Sequence, residues 1–331
     1  MFGSKKGAWF WHRGLTLSFV LIFILGCFNA WGAADYPTKP IQLVVPFPPG
    51  GGADTAARFV SDKVSERLGQ PVVVVNKPGA GGVLGVYAAL GAPADGYTIF
   101  VCSSAGVGAP IVRKGVTFNV TKDFKPINVA VNSPYLIFVK KEARWLTFED
   151  LIAEAKKNPG KLTYSSSGYG GTNHFAGELL KIHANVNVTH VPMEGDYPAL
   201  TAVLGGHVDF NPGQYSSSYK FLKAGSIRGL LVMAKKRLPD FPDIPTTIEK
   251  GLPFTIGSWQ AFLVRSETPQ GIVVKLEKAF KEVLSDEKVI ELFRNTGSDV
   301  ENLVGAEALK VINDEYNMRL EIAKKANILP Q

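Results

Sequence analysis

Residues 41–68, IQLVVPFPPGGGADTAARFVSDKVSERL, decide the fold. Ile41–Val45 is a short β-branched run of the length of a buried strand. Pro46, Pro48 and Pro49 and then Gly50, Gly51 and Gly52 make a turn. Ala56, Phe59, Val60, Val64 and Leu68 recur at spacings of three and four, which predicts a helix with one apolar face, ended by Gly69. Asp54 and Thr55 stand at its mouth, where a short polar side chain can accept first-turn N–H groups. Strand, glycine turn and helix N-terminus together form an anion-ready element, because unpaired N–H groups and the dipole end point the same way.

The anion is not read as a nucleotide. A phosphate loop needs G-x-x-x-x-G-K-[ST], and here the glycines run into Ala53-Asp54 without the lysine. The G-x-G-x-x-G spacing is absent here and at Gly79–Gly85. An acid at the loop's end disfavours a polyanion and leaves room for a smaller acid, or for one that also offers a donor. A plain βα turn with glycines for tight geometry is the competing reading.

At 331 residues, with 46% hydrophobic and 20% charged residues, the chain has room for two ordinary domains. Its formal charge of +7 falls to +4 without Lys5, Lys6 and Arg13, and no basic stripe with aromatics appears, so no nucleic-acid partner is expected. The basic start, the apolar run Leu15–Phe28 and the small residues Gly32-Ala33-Ala34 read as an export signal spanning 1–34, which predicts a periplasmic protein. Ile24-Leu25-Gly26-Cys27 is an alternative lipoprotein box, and an uncleaved anchor is a third reading. Cys102 would then be a lone thiol at the end of an apolar strand, buried and inert, with no disulfide.

Along the chain, strands are expected at Pro71–Val75, Thr98–Cys102, Pro134–Lys140, Lys161–Ser165, Thr189–Pro192, Val208–Phe210, Ile227–Met233 and Ser258–Val264. Helices are expected around Val83–Leu90, from a capping-box-like Thr147 to Asn158, through Ile182, over Tyr197–Leu204 and near Ser217–Lys223. Arg237–Pro253 reads as a proline-rich loop with one short helix, and everything after Pro269 as helical scaffold. This alternation predicts parallel sheets with crossovers, whose ligands gather beyond the strands' C-terminal ends. Three small-residue loops lie there: Pro46–Gly52, Asn76–Gly82 and Ser103–Gly106. Farther on, Ser166–His174 after the strand Lys161–Ser165 repeats the opening design of strand, glycine turn, hydroxyl cap and helix.

VVPFPPGGGADTAAR, PVVVVNKPGAGG, PADGYT, NPGKLTYSSSGYGGTNHFAGELL, HVP–EG–PALTAVLGGHVD and PDIPTTIEKGLPF occur in that order. Together they resemble the tripartite tricarboxylate transporter substrate-binding proteins, the Bug family, from about Tyr36 to Ile328. The resemblance implies an α/β chain with a two-lobed, type II periplasmic-binding-protein-like fold, each lobe a mostly parallel sheet flanked by helices. Its lobes are expected at 35–130 plus 259–331 and at 131–258. It implies a Venus-flytrap solute-binding receptor that captures a small organic acid and passes it to the large and small integral membrane permease subunits.

The resemblance places the ligand between the first and second glycine turns, held by backbone N–H groups, hydroxyls and water. Carried onto this chain it gives Gly51, Gly52, Ser167, Gly168 and Thr172, to which the loop residues Asp54 and Ser104 and the aromatic walls Phe47 and Tyr169 are added. Where the family reads a Tyr-Lys-Gly-like sequence followed by small residues, this chain has Met193-Glu194-Gly195-Asp196-Tyr197. Asp196 and Glu194 would favour a ligand with an amino or hydroxyl donor, or else face water. Tyr197 could line the pocket or merely pack.

The competing classes are a secreted enzyme acting on a carboxylate and a receptor of the TRAP type, which clamps its ligand with an arginine. His174 beside Ser165, Ser166 or Ser167 is the enzyme's best pair, but no G-x-S-x-G elbow accompanies it. His183, His190 and His207 lack zinc spacing. No catalytic residue, cofactor or metal is expected.

Overall fold

The computed structural model describes residues 36–330, so the leader and the Cys27 motif lie outside the described residues. β1 (Ile41–Val45) and α1 (Gly52–Leu68) form the opening unit where the apolar pattern predicts them. Gly69 adopts a left-handed φ of 69° and its N–H closes the helix on the Ser65 carbonyl. β2 (Val72–Asn76), α2 (Val83–Leu90) and β3 (Thr98–Ser103) follow, and β1 pairs in parallel with both neighbours. Gly85 lets α2 lie on the first turn, since a Cβ there would fall 2.5 Å from the Pro46 Cα.

The stretch after β3 is not a loop. α3 (Ser104–Val112) begins at once, and burial overrides the poor helix propensity of SAGVGAPIV. Asn119 caps the single turn α4 (Val120–Asp123), which leads into β4 (Phe124–Lys140). Only the second half of this 17-residue strand is predicted by its sequence; Pro126 and Asn128 mask the first.

The middle of the chain contains α5 (Phe148–Lys157), with a complete Thr147–Asp150 capping box, then β5 (Thr163–Ser166), α6 (Thr172–Ala184), β6 (Thr189–Pro192) and α7 (Asp196–Leu204). β7 (Asn211–Gln214) replaces the expected strand Val208–Phe210, of which Phe210 alone bridges to Tyr164. α8 (Tyr215–Lys223) and β8 (Ile227–Val232) complete it. Arg237–Pro253 holds turns and bridges but no helix. The chain returns in β9 (Gly257–Arg265), α9 (Gln270–Leu284), α10 (Glu287–Arg294), β10 (Asp299–Leu303) and α11 (Gly305–Lys325).

The main sheet runs β10-β4-β9-β3-β1-β2, with β7 and β8 on the far half of β4; β5 and β6 form a separate parallel pair. The main sheet is mixed rather than mostly parallel. β4 passes through both halves, and β7, β8, β9 and β10 each pair with it antiparallel.

α1, α9 and α10 cover one face of the main sheet around Val60, Phe262, Phe280 and Phe293. α2, α3 and the start of α11 cover the other around Phe100, Val107 and Ile312. A separate core gathers Ile137, Tyr164, Phe175 and Phe210. α11 is more than scaffold: Ala308 and Ile312 lie in one core, while Ile322 and Ala323 lie in another.

Phe262 is fully buried with its ring centroid 4.5 Å from that of Phe280. Phe262→Ala is expected to remove about 3–5 kcal/mol of stability, read as a lowered urea midpoint.

Candidate functional site

The two glycine turns and the start of α7 face one another across a cavity of about 60 Å³. Gly51 is the N-cap of α1 and Gly195 that of α7, and neither helix has a side-chain cap. The first N–H groups of both helices therefore find no acceptor within their own turns. Ser167, Gln214, Ser258 and Gln260 add polar side chains to the wall, Tyr135 and Phe47 aromatic ones, and no Lys or Arg is among the lining residues. A groove of about 360 Å³ shares Gly51, Gly52, Asp196, Tyr197, Gln214 and Gln260 with this cavity and extends past Lys220 and Phe221.

Behind the wall lies a chain of hydrogen bonds. Gln260 Nε2 donates to Ser258 Oγ (3.3 Å), as does Ser104 Oγ (3.1 Å), and the Ser104 and Thr172 hydroxyls meet at 2.7 Å. Arg319 of α11 ends the chain: Nη2 donates to Thr172 Oγ1 (2.9 Å), Nη1 to the Gly170 carbonyl (3.4 Å) and Nε to Glu315 (2.6 Å). Its guanidinium sits 4.8 Å over the Phe175 ring and is fully buried. Gly108 of α3 permits this approach, since a Cβ there would fall 2.3 Å from the Gly170 oxygen.

The second turn is held by aromatic and imidazole rings. His174 and His190 stack at 4.3 Å, Tyr164 stacks on His190, and Tyr169 meets both histidines edge-on. Ser166 Oγ lies 2.5 Å from His190 Nε2 and accepts the Gly168 N–H. Burial, then the neighbouring His190, lowers His174 to about 3; burial lowers His190 to about 4. Asn173 Oδ1 accepts from the Ser167 N–H and hydroxyl, which fixes its amide so that Nδ2 donates to Asp196 (3.1 Å). Burial raises Asp196 above the ordinary carboxyl value, against the lowering effect of Ser167 and Asn173.

Of the residues singled out from sequence, Phe47, Gly51, Gly52, Ser167 and Asp196 line the cavity. Asp54 lies outside the wall. Burial alone would raise it, but Arg58, the Gly50 N–H and Asn76 hold its carboxylate low and use both oxygens to fix the first turn. Ser104 and Thr172 stand one layer back, occupied with each other and Arg319. Gly168 spends its N–H on Ser166, and Tyr169 packs over the histidines with half its surface exposed. The Ser–His pair that forms is Ser166–His190 rather than one with His174, and Ser166 is fully buried and absent from the cavity wall. Cys102 is buried, with its thiol pushed up by burial. Tyr197 and Glu194 do line the cavity.

Sequence reasoning missed Gln214, Ser258, Gln260 and Tyr135 in the wall and Arg319 behind it. Gln214 ends a strand written Asn-Pro-Gly-Gln, which imitates a turn, and the others sit in apolar or helical runs without a local motif.

The family model of the tripartite tricarboxylate transporter family receptor matches residues 56–328. Among solved structures, an R. palustris protein with adipate is 31% identical, covering 90% of this chain and 100% of that one, with a TM-score of 0.85. The periplasmic binding protein BugD is 31% identical, with coverage of 89% and 100% and a TM-score of 0.83. MatC from Rhodopseudomonas palustris with bound malate is 28% identical, with coverage of 87% and 99% and a TM-score of 0.81.

Two measurements test the structural roles assigned here. Both histidines have folded values below the unfolded value of about 6.5, so the unfolded chain binds more protons below that pH and stability falls there. The melting temperature should drop as pH falls from 6.5 toward 4, and His190→Gln should flatten that slope. Arg319→Met leaves Glu315, Thr172 and Gly170 without their donor and should cost about 3–5 kcal/mol in chemical denaturation.

Proposed function

The chain belongs to the tripartite tricarboxylate transporter receptor family, and from that premise we propose that it is an extracytoplasmic receptor. It captures a small organic carboxylate and delivers it to the large and small membrane subunits of such a transporter. The observation that carries this reading is the cavity itself: uncapped starts of α1 and α7 and several hydroxyl and amide groups converge where no cation lines the wall. Backbone N–H groups at a helix start hold an anion well, because hydrogen bonds to a charged acceptor are stronger than neutral ones. Neighbours solved with adipate and malate support a carboxylate as the cargo.

The lobes are taken as residues 36–130 with 259–330, and 131–258, hinged where β4 and the approach to β9 cross between them. A cavity of about 60 Å³ holds a carboxylate end, so the rest of a longer acid would extend into the adjoining groove. Closure of the lobes removes the anion from water and presents a shape that the permease can read. Export by the leader, or tethering at Cys27, places the receptor in the periplasm. No helix among the described residues is long and apolar enough to cross a membrane. A receptor with an arginine clamp is less well supported, since Arg319 reaches the back of the wall and not the cavity. An enzyme is less well supported too, since Ser166 and His190 do not line the cavity.

A thermal-shift series with C4 to C6 carboxylates on the mature chain tests this. A ligand at a hundredfold over its Kd adds about 2.7 kcal/mol and should raise the melting temperature, and it should be recovered unchanged. In Gly52→Ala a methyl group would sit 3.2 Å from the Gln214 amide and 3.4 Å from that of Gln260, and affinity should fall about tenfold, ~1.4 kcal/mol. A ligand-free protein that no carboxylate stabilises, or an acid consumed on incubation, would overturn the receptor reading.

A further inference from the structure

We propose that the cargo is an amino carboxylate, whose ammonium group is neutralised by Asp196 while its carboxylate lies at the start of α1; this rests on the receptor reading above. Asp196 lines the cavity, accepts one bond from Asn173 Nδ2, and has no Lys or Arg partner among the described residues. The orientation of Asn173 is fixed by Ser167, and the groups beside this carboxylate, the Asn173 amide and the Ser167 hydroxyl, are neutral. The place of Asp196 in the first turn of α7 offsets part of its charge through the helix dipole. What remains faces the cavity that a plain dicarboxylate would have to share.

A second, independent observation lies across the same wall. Gln260 is 3% exposed and its Oε1 has no hydrogen-bond partner among the described residues. A buried acceptor left unpaired costs about 1–3 kcal/mol, which a donor brought by the ligand would relieve. Glu194, exposed at the rim, adds negative charge on the same side. The burial of Tyr135, and after it the Asp196 charge, raises its phenol, which therefore stays neutral beside the ligand.

These groups sort the cavity by sign. The α1 start supplies donors and a positive dipole end; the α7 side supplies the Asp196 carboxyl and Gln260 a neutral acceptor. A hydroxyl would satisfy an acceptor but leave the Asp196 charge beside the ligand's own carboxylates. An ammonium cancels it.

Isothermal titration of the mature chain with matched acids decides the matter: succinate, malate and aspartate, then glutarate and glutamate, then adipate and 2-aminoadipate. The amino acid of at least one set should bind tenfold or more tightly than its amine-free partners. Asp196→Asn should weaken that amino acid about tenfold while leaving or improving the plain diacid. If plain diacids win in the wild-type chain, or if Asp196→Asn leaves the preference unchanged, this inference falls and the receptor reading stands. If no member of any set binds a ligand-free protein, both fall. Should Asp196→Asn fail to fold, the wild-type pairs decide alone.

Discussion

A guanidinium with no access to water holds the binding cavity together. Arg319 is fully buried, and removing such a charge from water costs several kcal/mol unless its donors are used. Glu315, Thr172 and the Gly170 carbonyl use them, and the Phe175 ring lies beneath. The second glycine turn is thereby fastened to α11, and through Thr172, Ser104 and Ser258 to the rear of the cavity wall. Arg319 spends its donors on structural partners, and the cavity lining itself is neutral or negative. Affinity for an anion then has to come from oriented N–H groups, whose geometry discriminates better than a flexible lysine would.

The second organising constraint is β4. One 17-residue strand serves the main sheet with its first half and pairs with β7 and β8 along its second. The cavity opens beside the point where it changes partners, beyond the ends of β1, β3 and β5, as sheets of this kind place their ligands. Wall residues consequently come from distant segments: Phe47, Ser103, Tyr135, Ser167, Gln214 and Gln260.

Much of the architecture was legible in the residues. The β-branched runs Ile41–Val45 and Thr98–Cys102 and the glycine turns mark strands and helix starts because burial and capping write local patterns. The first half of β4, β7, β10 and α3 were not legible: FKPINVAVN, NPGQ, DVENL and SAGVGAPIV carry prolines, charges or small residues that local propensity disfavours and that pairing or burial overrides. The site divided along the same line. Residues in the glycine turns could be named, but Asp54 and Thr172 proved to hold the turns rather than face the cavity. Gln260 and Arg319 carry no local signal, because a lone amide in a strand and a lone cation on a polar helix look ordinary until the fold brings them together.

The bond between Arg319 and Thr172 spans 147 residues, and α11 is the last helix among the described residues. A chain emerging from the ribosome N-terminus first displays both glycine turns long before the residue that fastens the second one exists. The core containing Phe175 and Phe210 also waits for Ile322 and Ala323. Until α11 has been made, the cleft has its walls but not its fastening. A chain clipped before Arg319 would keep the strands of its sheets while losing the contact that fastens the second glycine turn.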